Sequence, residues 1–121
     1  MSSAPSRAET PGPEVGRLLL NRLVAEGVRY GRDFAIVRVT VPAGVTEPVA
    51  RQLAFGLRDA DMLVRWSDTE LLALLPGTDR GGAARTAERL RMAVDGMEAT
   101  IRAAHWVGDT AQDLLGRVGA T

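Results

Sequence analysis

The stretch "LRDADMLVRWSDTELLALLPGTD", residues 57–79, concentrates the side chains best suited to chemistry. Arg58 and Asp61 form an Arg-x-x-Asp, a planar fork of donors beside a two-oxygen acceptor. Asp68 and Glu70 flank Thr69 at the tip of a predicted β-hairpin, where hard oxygen ligands could attract a cation weakly. Arg89 and Arg91 follow in a predicted helix. His105 is the only histidine and the chain has no cysteine, so a structural role is expected for it rather than metal ligation. Gly81-Gly82 has no lysine after it, which argues against a phosphate loop. The question raised by 57–79 is whether it is an active site, the remains of one, or a binding site that outlived its chemistry.

Bulk properties narrow the answer. The 121 residues suit one domain. Fifteen basic and fifteen acidic residues cancel, so no general basic field is available for nucleic acid. Every basic residue is Arg, which excludes lysine chemistry outright and fits a GC-rich genome. The longest apolar runs, such as "LLALL", fall far short of a membrane span. No apolar leader core is visible near Met1, so a cytoplasmic protein is expected.

These residues need elements to position them. Residues 1–13, "MSSAPSRAETPGP", predict a disordered lead-in, and 14–121 a single domain. Residues 14–29 carry Val15, Leu19 and Leu23 on one helical stripe, widened by Leu18 and Leu20 and stopped by Gly31. "FAIVRVTV" (34–41) predicts a strand. Thr46 is placed to cap a helix over about 47–58. "MLVRW" and "ELLALLP" predict two strands joined by a tight turn at Ser67–Thr69. Asp79 is placed to cap a helix to about residue 95, "EATIRAAHW" predicts a last strand, and "AQDLLGRV" a last helix. The core order is βαββαβ, an α+β ferredoxin-like arrangement with a helix added at each end and both crossover helices on one face of an antiparallel sheet. An RNA-recognition version would need stacking aromatics on its central strands, and these offer one Phe. A metal-chaperone version would need a cysteine pair.

The hairpin region resembles the GGDEF domain of bacterial diguanylate cyclases, which join two GTP into cyclic di-GMP. Arg58, Asp61, Arg65 and Trp66 stand in that family's register, followed by "SDTEL" (Ser67, Asp68, Thr69, Glu70, Leu71) where the family has Gly-Gly-Asp-Glu-Phe, then "LALLP". "TDRGGAARTAERLR" is similar to the family's next helix, and "RYGRDFAIVRV" to its approach to the first strand. The resemblance implies the nucleotidyl-cyclase type of ferredoxin-like core. It also makes the departures informative. The metal-holding acid of the signature is Thr69 here, and Val39, Thr40 and Val41 supply no second carboxylate. Metal-assisted phosphoryl transfer needs such ligands over the triphosphate. Ser67 and Asp68 replace the glycines that let substrate approach the hairpin backbone. The family's guanine-recognising segment after the first strand, its Asp-x-Leu-Thr-Gly-Leu opening and its lysine-bearing end are missing.

The resemblance therefore implies a degenerate GGDEF-like module that is not an enzyme, holds no metal or cofactor, and acts in cyclic di-GMP signalling through a protein partner. A homodimer is expected, using the leucine-rich first helix. The alternative is a cyclic di-GMP receptor. In the family's inhibition site Arg-x-x-Asp grips guanine, the Arg fork reaching O6 and N7 and the Asp accepting from N1–H and the amine. Arg58, Asp61 and Arg89 match that site. The same residues also have a plain reading, in which Asp61 and Arg65 join a helix end to a strand and Arg89 lies on a solvated face.

Overall fold

A computed structural model describes residues 10–120. The elements run α1 (Pro13–Tyr30), β1 (Phe34–Thr40), α2 (Thr46–Leu53) with a 3₁₀ turn (Ala54–Gly56), β2 (Met62–Ser67), β3 (Glu70–Pro76), α3 (Arg80–Ala93), β4 (Thr100–His105) and α4 (Ala111–Arg117). One antiparallel sheet has the order β2-β3-β1-β4. This is the ferredoxin-like arrangement expected from the sequence.

Both faces of the sheet are buried. Ala35, Val37, Val39, Leu71, Ala73 and Leu75 point to α2 and α3, meeting Val49, Leu53, Ala87 and Leu90. The alternate residues Phe34, Ile36, Leu72 and Leu74 point the other way, to Leu20 of α1 and Leu114 and Leu115 of α4. Burial on both sides explains why β1 and β3 read as continuous apolar runs rather than alternating ones. The second face also takes up the stripe on α1. Leu20 is 1% exposed and Leu19 and Leu23 pack beside it, while Leu18 stays 71% exposed. The inner side of α1 is thus taken up by its own sheet, while Val28 at 72% and Tyr30 at 58% exposure leave apolar surface on its outer side.

Local chemistry accounts for the boundaries. Pro13 opens α1, where its missing N–H costs nothing. Gly31 closes it at φ 69°, its N–H donating to the Gly27 carbonyl. Gly27 lets α1 lie against Trp106, whose ring a Cβ there would meet at 2.5 Å. Asp79 caps α3 as expected, its carboxylate accepting from the Gly82 N–H at 2.8 Å.

One local expectation is corrected. Thr46 does not cap α2. Val45 holds the cap position without a side-chain bond, and Thr46 lies inside the first turn, where its hydroxyl donates to the Asp68 carbonyl. Of the segment expected to lack structure, residues 1–9 lie outside the described residues. Pro11 is tied down, its carbonyl accepting from the Arg65 N–H at 2.6 Å.

Candidate functional site

The signature hairpin turns where the sequence places it, with Asp68 and Thr69 at the tip. No described non-glycine residue has positive φ, so the tip cannot take the primed turns usual for two-residue hairpins. A bulge at Trp66 supplies the extra twist, and it swings Ser67 onto the face where Glu70 lies. The tip is pinned from both sides. Thr46 of α2 donates to the Asp68 carbonyl, and the Val41 N–H donates to the Thr69 carbonyl at 2.9 Å.

Glu70 has both carboxylate oxygens engaged. Arg38 of β1 donates Nε–H at 2.6 Å, and Ser67 donates its hydroxyl at 2.7 Å. Arg38 also reaches the Val118 carbonyl beyond α4 at 3.4 Å. The surviving acid of the signature is thus a brace between hairpin, central strand and C-terminal helix. The Asp68 side chain is 95% exposed and lies 3.7 Å from Arg65. Thr69 gives its N–H to the Ser67 hydroxyl at 3.3 Å, and Leu71 is core. Trp66 packs on Gly16 of α1 beneath the Arg17 guanidinium, 4.6 Å from its ring centroid.

The Arg-x-x-Asp folds onto itself. Asp61 Oδ2 accepts from the Arg58 backbone N–H at 2.8 Å, and Oδ1 lies 3.4 Å from Arg58 Nη2. The Asp61 side chain is 0% exposed. Arg58 continues to the loop after β3, bonding the Pro76 carbonyl at 3.2 Å and the Thr78 hydroxyl at 2.7 Å. Arg89 donates to the Gly56 carbonyl at 3.2 Å and to the Thr86 hydroxyl at 3.0 Å.

Arg58 and Arg89 nevertheless line one cleft of about 200 Å³, with Arg85, Thr78 and the cap Asp79. The structure brings these two predicted residues together and leaves Asp61 behind the wall. Sequence reasoning missed Arg85, although its position one helical turn before Arg89 signals a shared face. It also missed Arg38, whose pairing with Glu70 depends on register. His105 pairs with Asp33 at 3.1 Å, and Trp106 stacks on Phe34 at 5.4 Å. The pairing of His105 fits the structural role expected for it.

The profile of the family described as diguanylate cyclase, GGDEF domain, matches residues 45–112. No curated protein matches. Among solved structures, the diguanylate cyclase SiaD of Pseudomonas aeruginosa, determined with its activator SiaC, is 25% identical with a TM-score of 0.74 over 90% of this chain. The chain spans about half of SiaD, 52% of its length. The FimX GGDEF domain from the same organism has a TM-score of 0.82 at 16% identity, covering 98% of this chain and 90% of that one. The GGDEF domain of DgcB from Caulobacter crescentus, determined with c-di-GMP, has a TM-score of 0.77 at 12% identity, covering 90% and 81%. With more than half of its residues matched by the profile and the same fold in these relatives, the chain belongs to the GGDEF domain family.

Proposed function

We propose that this chain is a non-catalytic GGDEF module that works in cyclic di-GMP signalling as a scaffold, through contacts with proteins that include a second copy of itself. The observation that carries this reading is Glu70, whose two oxygens are taken by Arg38 and Ser67 while Thr69 stands in the neighbouring acidic position. A carboxylate held by a guanidinium at 2.6 Å has its charge offset by that partner, which weakens it as a metal ligand. The relative SiaD was determined in complex with its activator SiaC, a protein partner. A cytoplasmic location goes with this reading, and no helix among the described residues is long and apolar enough to cross a membrane. Incubation with GTP and Mg²⁺ or Mn²⁺ is expected to yield no cyclic dinucleotide above a no-protein control. Turnover that Glu70→Ala abolishes would overturn the reading.

The second reading is a cyclic di-GMP receptor. What favours it is the cleft in which Arg58, Arg85 and Arg89 gather, a cationic setting suited to a phosphate or to a guanine edge. DgcB was determined with that dinucleotide bound. In this reading Asp61 holds Arg58 in place rather than touching guanine. Calorimetric titration with cyclic di-GMP separates the two readings, since a scaffold alone gives no saturable heat.

A further inference from the structure

The two edges of the sheet differ. At the β2 edge Pro11 accepts from the Arg65 N–H, so the preceding chain straps that strand at one point. Among the described residues the β4 edge has no such backbone strap. Antiparallel strands turn alternate residues toward and away from a partner. The Trp106 N–H donates to the Phe34 carbonyl at 2.9 Å, so Ala104, Arg102 and Thr100 turn their main-chain groups to β1. Ile101, Ala103 and His105 then turn theirs outward. Arginines hold two of these carbonyls: Arg117 that of His105 at 2.6 Å, and Arg91 that of Ile101 at 3.5 Å. No described residue bonds the N–H or carbonyl of Ala103. Its side chain is small and exposed, and it borders a cleft of about 380 Å³ between β4 and Ala83 and Ala84 of α3.

We propose that two copies of this chain join edge to edge through β4, antiparallel about a two-fold axis at Ala103, so that their sheets continue as one. The inference rests on the protein-contact reading and names its surface. Main-chain groups at an open edge are satisfied best by another strand, which limits the partner to an extended segment. The symmetric register suits this strand. Ala103 faces its own counterpart, Ile101 faces His105, and Arg102 faces Ala104, so no like charges lie directly opposite. The capping arginines can release their carbonyls without losing an ionic partner, because Arg117 also holds Asp109 at 3.0 Å and Arg91 holds Glu88 at 3.3 Å. A formal net charge of zero adds no long-range repulsion. An isologous pair uses up both β4 edges, so assembly stops at the dimer.

The chain has no cysteine, so Ala103→Cys introduces a single thiol. Opposed Cα atoms of a hydrogen-bonded antiparallel pair lie about 5.5 Å apart, within disulfide reach. Mild oxidation is expected to convert this variant almost wholly to a covalent dimer on a non-reducing gel. Val28→Cys, on the exposed side of α1, should remain uncrosslinked. Wild type should sediment as a dimer at high micromolar concentration and Ala103→Pro as a monomer. That proline removes only an outward N–H, so its circular dichroism should stay native. A monomeric wild type leaves the edge to some other strand and overturns the proposal. So does preferential crosslinking through Val28→Cys, or an Ala103→Pro variant that stays folded and dimeric. The scaffold reading stands or falls separately, on the GTP assay.

Discussion

Arg58 and Asp61 show how one pair of residues can satisfy a motif and still serve the fold. Both Asp61 oxygens are occupied by Arg58, through its backbone N–H and its guanidinium, so the carboxylate closes the turn before β2. Asp61→Asn keeps one acceptor oxygen and loses the charge. It is therefore expected to lower the melting temperature with no ligand present. Arg58→Ala removes the link to Pro76 and Thr78, and with it one wall of the cationic cleft. If cyclic di-GMP binds there, Arg58→Ala should weaken it roughly tenfold or more, since a charge-assisted bond contributes about 1.5–3 kcal/mol and about 1.4 kcal/mol is tenfold. Arg58→Lys should not restore the affinity, because an ammonium cannot reproduce the fork. Calorimetry beside thermal melts of the same variants reads both effects, and saturable binding indifferent to Arg58 would refute this site.

At the scale of elements, the joint between β4 and α4 is held by charge as well as by packing. Asp109 is partly desolvated, which alone would raise its pKa. The hydrogen bond from Arg117, the Val107 N–H and the charge of Arg117 outweigh this, so the pKa lies below its ordinary value. A depressed carboxylate contributes stability above its unfolded pKa and loses it as pH falls through the folded one. Asp109→Asn should therefore melt below wild type at neutral pH. The gap should narrow as pH drops below about 4, the range in which an unfolded aspartate protonates. A melting difference that stays constant from pH 7 to pH 2 would contradict this. The bulge at Trp66 acts at the same scale, since one extra residue lets Ser67 reach Glu70 and closes the brace across the hairpin.

The whole molecule is a sheet between two helical layers, and each layer has its own apolar cluster. Leu53 anchors the cluster under α2 and α3, and Leu20 the one under α1 and α4. Both are fully buried. Leu53→Ala and Leu20→Ala should each cost about 2–5 kcal/mol in denaturant unfolding. A sheet covered on one face only would lose stability through Leu53 and hardly through Leu20, so a near-neutral Leu20→Ala would refute the three-layer account.

The order of elements, the hairpin at residues 67–70 and the Asp79 cap were legible in the amino-acid sequence by itself. Each depends on neighbours within a turn or a strand: helical spacing of Ala83, Ala87 and Leu90, β-branched runs, and an acid three residues before a free N–H. The loss of the signature acid at Thr69 was equally plain, since it is a matter of residue identity. Only the tertiary structure decided that Glu70 braces Arg38, that Thr46 holds the hairpin tip, and that Asp61 turns inward while Arg85 joins Arg58 and Arg89. It also decided that the second face of the sheet is filled by α1 and α4. These are contacts between residues distant in the chain. They follow from strand register and from which face each helix covers, and a shift of one residue in pairing would send Arg38 or Glu70 to the other side of the sheet.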